Sequence, residues 1–288
     1  MIRGRVRLVL AAVALCAGEA VLAGRYADIT YATIGETELE LDLHVPDGAR
    51  SPPLVIWIHG GAWRSGSKTN PPREFVESGF ALASVGFRPA TAEPFPAMVH
   101  DIKAAIRFLR ANARRYGYDA ERIAIAGISS GGHLAALVGV TNGHAALEGD
   151  VGDHLDVSSD VHAIVVFSGA TNLTTILNQS TPRGLLIRET AIEQLLGGRP
   201  DDLPELARLA SPVFHVDPRD PPLRLLHGDQ DVQMPINQAH ELHGAYVREG
   251  LDAELEVVHG AGHGGAAFFD EVRWRRTAAF LRRAMFLD

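Results

Sequence analysis

Residues 127–131, with the sequence GISSG, have the G-x-S-x-G pattern of a nucleophile elbow. The pattern lies between a short apolar run, residues 123–126, and a stretch of helical character. A strand that turns sharply into a helix holds its middle residue in a strained conformation and requires small neighbours. The pattern therefore predicts that Ser129 is the nucleophile of a hydrolytic reaction.

A serine hydroxyl becomes a strong nucleophile only when a base takes its proton and a third group orients that base. After an elbow of this type, the acid follows the serine along the chain and the histidine comes last. Asp231 follows the apolar run 223–226, and His263 follows the run 255–258. We assign Asp231 as the acid and His263 as the base.

Each assignment has a rival within a few residues. Asp229 is the second carboxylate of its segment, and either carboxylate could lie near an imidazole. His259 is closer to the end of its strand, where a histidine is more often a packed side chain. The glycines around His263 favour a loop that can bring its ring to Ser129.

The segment 59–63, with the sequence HGGAW, follows the apolar run 54–58 and matches the HGGG-type oxyanion loop. We expect the backbone N–H groups of Gly61, Ala62 and Ser130 to donate to the developing oxyanion. Each such donor lowers the barrier by about 3 kcal/mol.

Other side chains near these motifs have less specific roles. Trp63 and Ile128 are predicted to line the substrate pocket. His59 is expected to hold the oxyanion loop by hydrogen bonds rather than to transfer protons, and His133 is expected to be a structural histidine.

Apolar runs alternate with amphipathic helical segments along the chain. The runs are residues 54–58, 80–85, 123–126, 163–167, 223–226 and 255–258. Such runs are typical of strands that are covered on both faces, whereas 29–34 and 39–45 alternate like an antiparallel opening pair. The best helical pattern covers residues 98–116. We predict an α/β fold with a doubly wound, mostly parallel sheet of about eight strands.

Residues 171–212 break this alternation with a polar stretch rich in turn residues, and helical pieces are expected only around 190–196 and 203–209. Unstructured connections of this length are uncommon in compact domains, so we predict a cap inserted over the carboxyl edge of the sheet. An ordinary long connection is the alternative. The predicted organisation is one catalytic domain, residues 24–288, that includes this cap segment.

Residues 3–7 carry three arginines, an apolar run follows over 8–17, and small residues precede Ala23. This layout is typical of a secretory signal peptide, here residues 1–23. A membrane anchor is the alternative, but a span needs about 20 apolar residues. The expected location is secreted or periplasmic, with no stable membrane span after cleavage.

The chain has 27 Lys and Arg against 35 Asp and Glu, a net charge of -8. This acidic balance disfavours nucleic acid as a partner. Cys16 is the single cysteine, and the 13 histidines form no H-E-x-x-H pattern, so neither a metal nor another cofactor is predicted.

With these residues placed, the chain resembles the α/β-hydrolase superfamily and, within it, the bacterial acetyl-xylan/feruloyl esterase-like (BD-FAE-like) carboxylesterases. The similarity covers nearly all of the chain after residue 23 and is most specific over residues 101–137. Residues 227–231 with Pro235 look like the acid-bearing segment of the family, which favours Asp231 over Asp229.

The sequence departs from the family pattern at positions that do not carry the reaction. Ile128 and Ser130 stand at elbow positions where the family often has Asp and Ala, and Met234 is the hydrophobic residue before Pro235. Substrate preference is therefore the property that the resemblance leaves open.

The resemblance implies hydrolysis of carboxylic esters through an acyl-enzyme on Ser129. The ester would be an acetyl or feruloyl group on a polysaccharide, or a small free ester. One alternative is an amide hydrolase, either arylformamidase-like or peptidase-like. Another is a catalytically inactive module that keeps the hydrolase fold to bind a ligand.

Overall fold

Eight strands form one sheet at the centre of the computed structural model, which describes residues 24–286. They are β1 (Gly24–Ile34), β2 (Thr37–Val45), β3 (Pro53–Ile58), β4 (Ala81–Val85), β5 (Asp119–Ile128), β6 (Ala163–Phe167), β7 (Leu223–Gly228) and β8 (Ala253–Val258). The order across the sheet is β1-β2-β4-β3-β5-β6-β7-β8. Strands β3 to β8 are parallel, and β1 and β2 are antiparallel additions at one edge. The predicted doubly wound, mostly parallel sheet is confirmed.

Helices cover both faces of this sheet. They are α1 (Glu74–Glu77), α2 (Ala97–Tyr116), α3 (Ser130–Gly139), α4 (Ala145–Glu148), α5 (Pro182–Leu196), α6 (Pro204–Leu209), α7 (Asn237–Glu249) and α8 (Glu271–Phe286). Helix α2 agrees with the predicted segment 98–116 and ends at Gly117, whose left-handed conformation terminates the helix.

The hydrophobic core has two parts, one on each face of the sheet. Ile56 and Ile58 of β3 belong to the part that contains α2 and α3, whereas Val55 and Trp57 belong to the part that contains α8. Successive side chains of a strand point to opposite faces, so a strand buried on both sides must be apolar throughout. This explains why β3 and β6 are continuous apolar runs in the sequence, whereas β8, which lies at the edge of the sheet and is mostly half-buried, contains Glu254 and Glu256.

Helix α5 lies in the predicted cap segment and begins eight residues before the helical piece expected at 190–196. Pro182 occupies the first turn, and the hydroxyl of Thr181 accepts a hydrogen bond from the Gly184 N–H and caps the helix. Gly184 has low helix propensity, which weakens the helical pattern of this turn in the sequence.

The predicted signal peptide, residues 1–23, lies outside the described residues. Between residues 24 and 286, no helix has both the length and the apolar character needed to cross a membrane.

Ile56 offers a test of how much the central strand contributes to stability. Its side chain is fully buried in β3. We expect Ile56→Ala to lower the free energy of unfolding by about 2–5 kcal/mol, because the lost apolar contacts leave a cavity. Urea denaturation measures the difference.

Val247→Ala on α7 is the matched control for this change, since its side chain is 58% exposed. It should change the unfolding free energy by less than about 0.5 kcal/mol. Equal effects of the two substitutions would contradict the described packing of β3.

Candidate active site

Ser129 occupies the turn between β5 and α3, at the carboxyl edge of the sheet. Its backbone has φ 58° and ψ -124°, a conformation that non-glycine residues rarely adopt. The Ser129 N–H donates to the carbonyl of Phe167 at 2.8 Å, which ties the turn to the end of β6. The strained conformation predicted for an elbow serine is thus present and is held by a neighbouring strand.

Small residues beside Ser129 are a steric requirement of this turn. A Cβ atom on Gly127 would lie 2.3 Å from the Gly131 carbonyl oxygen, and one on Gly131 would lie 2.2 Å from the Ile58 carbonyl oxygen. Both distances are to backbone atoms, which cannot move aside as a flexible side chain can. The two glycines of the G-x-S-x-G pattern therefore let β5, α3 and β3 approach closely enough to form the elbow.

Loops after β7 and β8 bring Asp231 and His263 to Ser129. His263 Nε2 lies 2.8 Å from Ser129 Oγ, and His263 Nδ1 lies 2.7 Å from Asp231 Oδ2. With Nδ1 donating to the carboxylate, Nε2 is free to accept the proton of the hydroxyl. The three side chains form a continuous line of hydrogen bonds although they are far apart in the sequence.

Asp231 is held as a buried, ionised carboxylate. Its Oδ1 accepts the N–H groups of Gln233 and Met234, each at 2.8 Å, and His227 Nε2 lies 3.5 Å from Oδ2. Burial alone would raise the pKa of Asp231, but the hydrogen bonds from His227, His263 and the Met234 N–H outweigh it and hold the pKa well below that of an ordinary aspartate. Asp231 therefore stays charged and can orient His263 at physiological pH.

The rival residues Asp229 and His259 form a separate pair. His259 Nδ1 lies 2.9 Å from Asp229 Oδ2, and the His259 side chain is 82% exposed, compared with 14% for His263. Asp229 also accepts the Gly260 N–H at 2.8 Å. This exposed pair links the two loops and does not reach Ser129.

The segment after β3 turns past Ser129 with two non-glycine residues at positive φ, Ala62 at 53° and Trp63 at 59°. The N–H groups of Gly61, Ala62 and Ser130 have no hydrogen-bond acceptor among residues 24–286. Ser130 is also the first residue of α3, where the helix dipole favours negative charge. The three residues line the same cavity as Ser129.

Two aromatic contacts hold this segment in place. The His59 ring stacks on Phe87 with 4.5 Å between ring centroids, and its Nδ1 lies 2.8 Å from the Gly60 carbonyl. Trp63 Nε1 donates to His133 Nδ1 at 3.0 Å, and His133 Nε2 donates to the Ala210 carbonyl at 2.7 Å. His59 and His133 thus occupy supporting positions, and burial lowers the pKa of both rings.

A cavity of about 360 Å³ opens over Ser129. It is lined by Gly61, Ala62, Trp63, Arg64, Ser65, Ile128, Ser129, Ser130, Ile187, Arg188, Ala191, Gln233, Met234 and His263. All the predicted oxyanion and pocket residues are in this lining, together with Ser129 and His263. One wall comes from α5 of the predicted cap segment.

The sequence did not identify the wall formed by Ile187, Arg188 and Ala191, nor His227 as a partner of Asp231. One signal was available for the wall, because Gly184, Arg188, Ala191 and Leu195 recur at the spacing of a buried helix face. An arginine within such a face marks a charge that the fold must bury. No cluster of three or more potential metal ligands is present in residues 24–286.

A mostly parallel sheet with a serine on a strained strand-to-helix turn defines an α/β-hydrolase. The BD-FAE family model matches residues 41–246. The chain belongs to this family, and the predicted resemblance is confirmed.

Curated and solved proteins agree with this assignment. Esterase LipC of Mycobacterium tuberculosis is 31% identical over 218 residues, which are 74% of this chain and 53% of LipC. A truncated carbohydrate esterase from gut microbiota has a TM-score of 0.83 at 29% identity, covering 93% of this chain and 99% of its own. Esterase 2 of Thermogutta terrifontis, phosphonylated by sarin, has a TM-score of 0.75 at 26% identity, with coverages of 92% and 96%. The chain spans about half the length of the curated relatives it matches first.

His133 provides a test of the supporting contacts through pH. Burial lowers its pKa to about 4, against the raising effect of the Ala210 carbonyl. The unfolded chain protonates this histidine near pH 6.5, so stability falls as the pH drops from about 6.5 to 4. In His133→Gln the side chain at this position does not titrate. The difference in unfolding free energy between wild type and variant should therefore narrow by about 3 kcal/mol as the pH falls from about 6.5 to 4.

Urea denaturation at several pH values measures this gap, because the other titrating groups are common to both proteins. His240→Gln, at an exposed position of α7, is the control and should keep the pH dependence of the wild type. A gap between wild type and His133→Gln that stays constant from pH 7 to 4 would show that His133 is not buried as described.

Proposed function

We propose that this protein is a serine carboxylic-ester hydrolase that acts through an acyl-enzyme on Ser129. The observation that carries the proposal is the line of hydrogen bonds from Asp231 through His263 to Ser129 Oγ, at 2.7 and 2.8 Å. It ends in a cavity where three backbone N–H groups have no acceptor among residues 24–286. The esterase names of the relatives support the same class of reaction.

In the first half of the reaction, Ser129 Oγ attacks the ester carbonyl carbon and its proton passes to His263 Nε2. The carbonyl oxygen becomes an oxyanion, which accepts hydrogen bonds from the N–H groups of Gly61, Ala62 and Ser130. His263 then gives its proton to the alcohol oxygen as the carbon–oxygen bond breaks, and the alcohol leaves. The acyl group remains on Ser129.

In the second half, water attacks the acyl carbon and gives a proton to His263. The bond to Ser129 Oγ breaks, the serine regains its proton from His263, and the carboxylic acid leaves. Throughout, Asp231 keeps the His263 ring in one tautomer and stabilises its protonated form.

The size and lining of the cavity support short or medium acyl groups. A cavity of about 360 Å³ whose lining includes apolar side chains such as Trp63, Ile128 and Met234 accommodates small esters. Acetyl or feruloyl esters, free or linked to a polysaccharide, are the proposed substrates. The carbohydrate esterase among the similar structures supports this class.

The proposed triad is tested by paired substitutions at the two aspartates. Asp231→Asn should lower kcat/KM for para-nitrophenyl acetate by about ten-thousandfold, because the His263 ring loses its orienting carboxylate. Asp229→Asn should stay within a few-fold of wild type, since Asp229 pairs with the exposed His259. Ser129→Ala should remove turnover and also labelling by a fluorophosphonate probe.

Matched substrates separate this proposal from its alternatives. An amide hydrolase would cleave para-nitroacetanilide at least as efficiently as the acetate ester, and this result would replace the ester assignment. Folded protein that neither turns over any ester nor takes up the probe would favour the inactive binding module.

We also propose that residues 1–23 direct the protein out of the cytoplasm and are removed during export. The support is the arginine-rich start and the apolar run that follows it. Amino-terminal sequencing of protein from the periplasm or the medium should give Gly24 as the first residue. Full-length protein that stays in the cytoplasm would contradict this proposal.

A further inference from the structure

The catalytic cavity carries positive charge in a protein whose net charge is negative. Two arginines line it, Arg188 from α5 and Arg64 from the segment after β3, and the lining contains no acidic residue. Over the whole sequence, acidic residues outnumber basic ones and the net charge is -8. The side chains that line the cavity are therefore positively charged, and the Asp231 carboxylate, which is held by His263, is not part of this lining.

Arg188 is an unusual residue because it is buried and has no carboxylate partner. It is 3% exposed, Nη1 donates to Ser180 Oγ, and Nη2 is buried without a hydrogen-bond partner in the described chain. No carboxylate of residues 24–286 lies within ion-pair distance of it. Other buried cations are paired, as Lys103 is with Glu148.

An unpaired buried guanidinium is destabilising, since burial removes hydration that no ion pair replaces. Burial lowers the pKa of Arg188 to about 10, against the attraction of the Asp231 carboxylate, so the group remains charged at neutral pH. Asp231 cannot act as its ion-pair partner, because His263, His227 and two backbone N–H groups already surround that carboxylate. Arg188 belongs to the lining of the cavity, so the N–H groups of its unpartnered Nη2 are left for a molecule that binds there.

We propose that the catalytic cavity selects esters that carry a carboxylate group, with Arg188 as the main counterion and Arg64 as a second cation in the lining. A guanidinium binds a carboxylate through two parallel hydrogen bonds, which an ammonium cannot reproduce. The inference rests on the proposed esterase function and specifies its substrate class. The carboxylate belongs to either the acyl or the alcohol part of the ester.

The test compares anionic and neutral esters of nearly equal shape. For the acyl part, the pair is the para-nitrophenyl monoesters of adipic acid and of its monoamide. For the alcohol part, the pair is para-acetoxybenzoate and para-acetoxybenzamide. The readout is the selectivity ratio, kcat/KM for the anionic ester divided by kcat/KM for the neutral one.

In one of the two pairs, wild-type protein should prefer the anionic ester by about 10-fold or more, which also identifies the part that carries the carboxylate. Arg188→Gln should lower the ratio by about 10- to 100-fold, and Arg188→Lys should restore part of it. Arg183→Gln, an exposed position on the same helix, makes the same charge change and should keep the wild-type ratio.

A ratio unchanged by Arg188→Gln in both pairs, or a wild type that prefers the neutral ester in both, overturns the inference. If Arg188→Gln does not fold, the selectivity ratios of the wild type and of Arg64→Gln are used instead. A ratio unchanged by Arg64→Gln in both pairs, or a wild type that prefers the neutral ester in both, then overturns the inference. Hydrolysis of the neutral esters that depends on Ser129 shows that the esterase proposal stands even when the carboxylate proposal fails. Absence of hydrolysis of all four esters by folded wild type overturns both.

Discussion

The strained turn at Ser129 is the constraint on which the rest of the site depends. A non-glycine residue at φ 58° and ψ -124° is unfavourable in isolation and persists only where surrounding structure holds it. Here the hydrogen bond to Phe167 and the close approach of Gly127 and Gly131 to backbone atoms hold it. As a result Ser129 and Ser130 line the same cavity, and His263 Nε2 lies within 2.8 Å of Ser129 Oγ.

The charge of the cavity lining differs in sign from the net charge of the protein. A net charge of -8 disfavours anionic partners over the surface, but the walls around Ser129 contain two arginines and no carboxylate. Such a site favours an anion at close range, where low dielectric strengthens each contact. The same charges favour the oxyanion that develops during ester hydrolysis, whatever the substrate. Only a comparison of anionic with neutral esters therefore separates their effect on substrate binding from their effect on the reaction rate.

Much of the fold could be predicted because its determinants are local. The strands buried on both faces are continuous apolar runs, and α2 has a clear helical period, so both were located within a few residues. The predicted start of α5 was wrong because Gly184 interrupts the helical pattern of the sequence. The helix begins at a cap formed by Thr181, and this cap depends on a single hydrogen bond. The sequence assigned Asp231 as the acid but kept Asp229 as its rival, since two residues of separation carry little information about which carboxylate meets an imidazole.

The sequence by itself determined the residue types of the site, their order along the chain and the need for small residues around Ser129, because these follow from chain connectivity and local backbone sterics. Only the tertiary structure decided that His263 and Asp231 meet Ser129 while His259 pairs with Asp229, since this depends on how the loops after β7 and β8 converge. It also decided that Arg188 lies in the cavity wall without a partner in residues 24–286. The burial of a side chain and its hydrogen-bond and ion-pair partners depend on segments that are distant in the sequence. No local sequence pattern therefore encodes them fully.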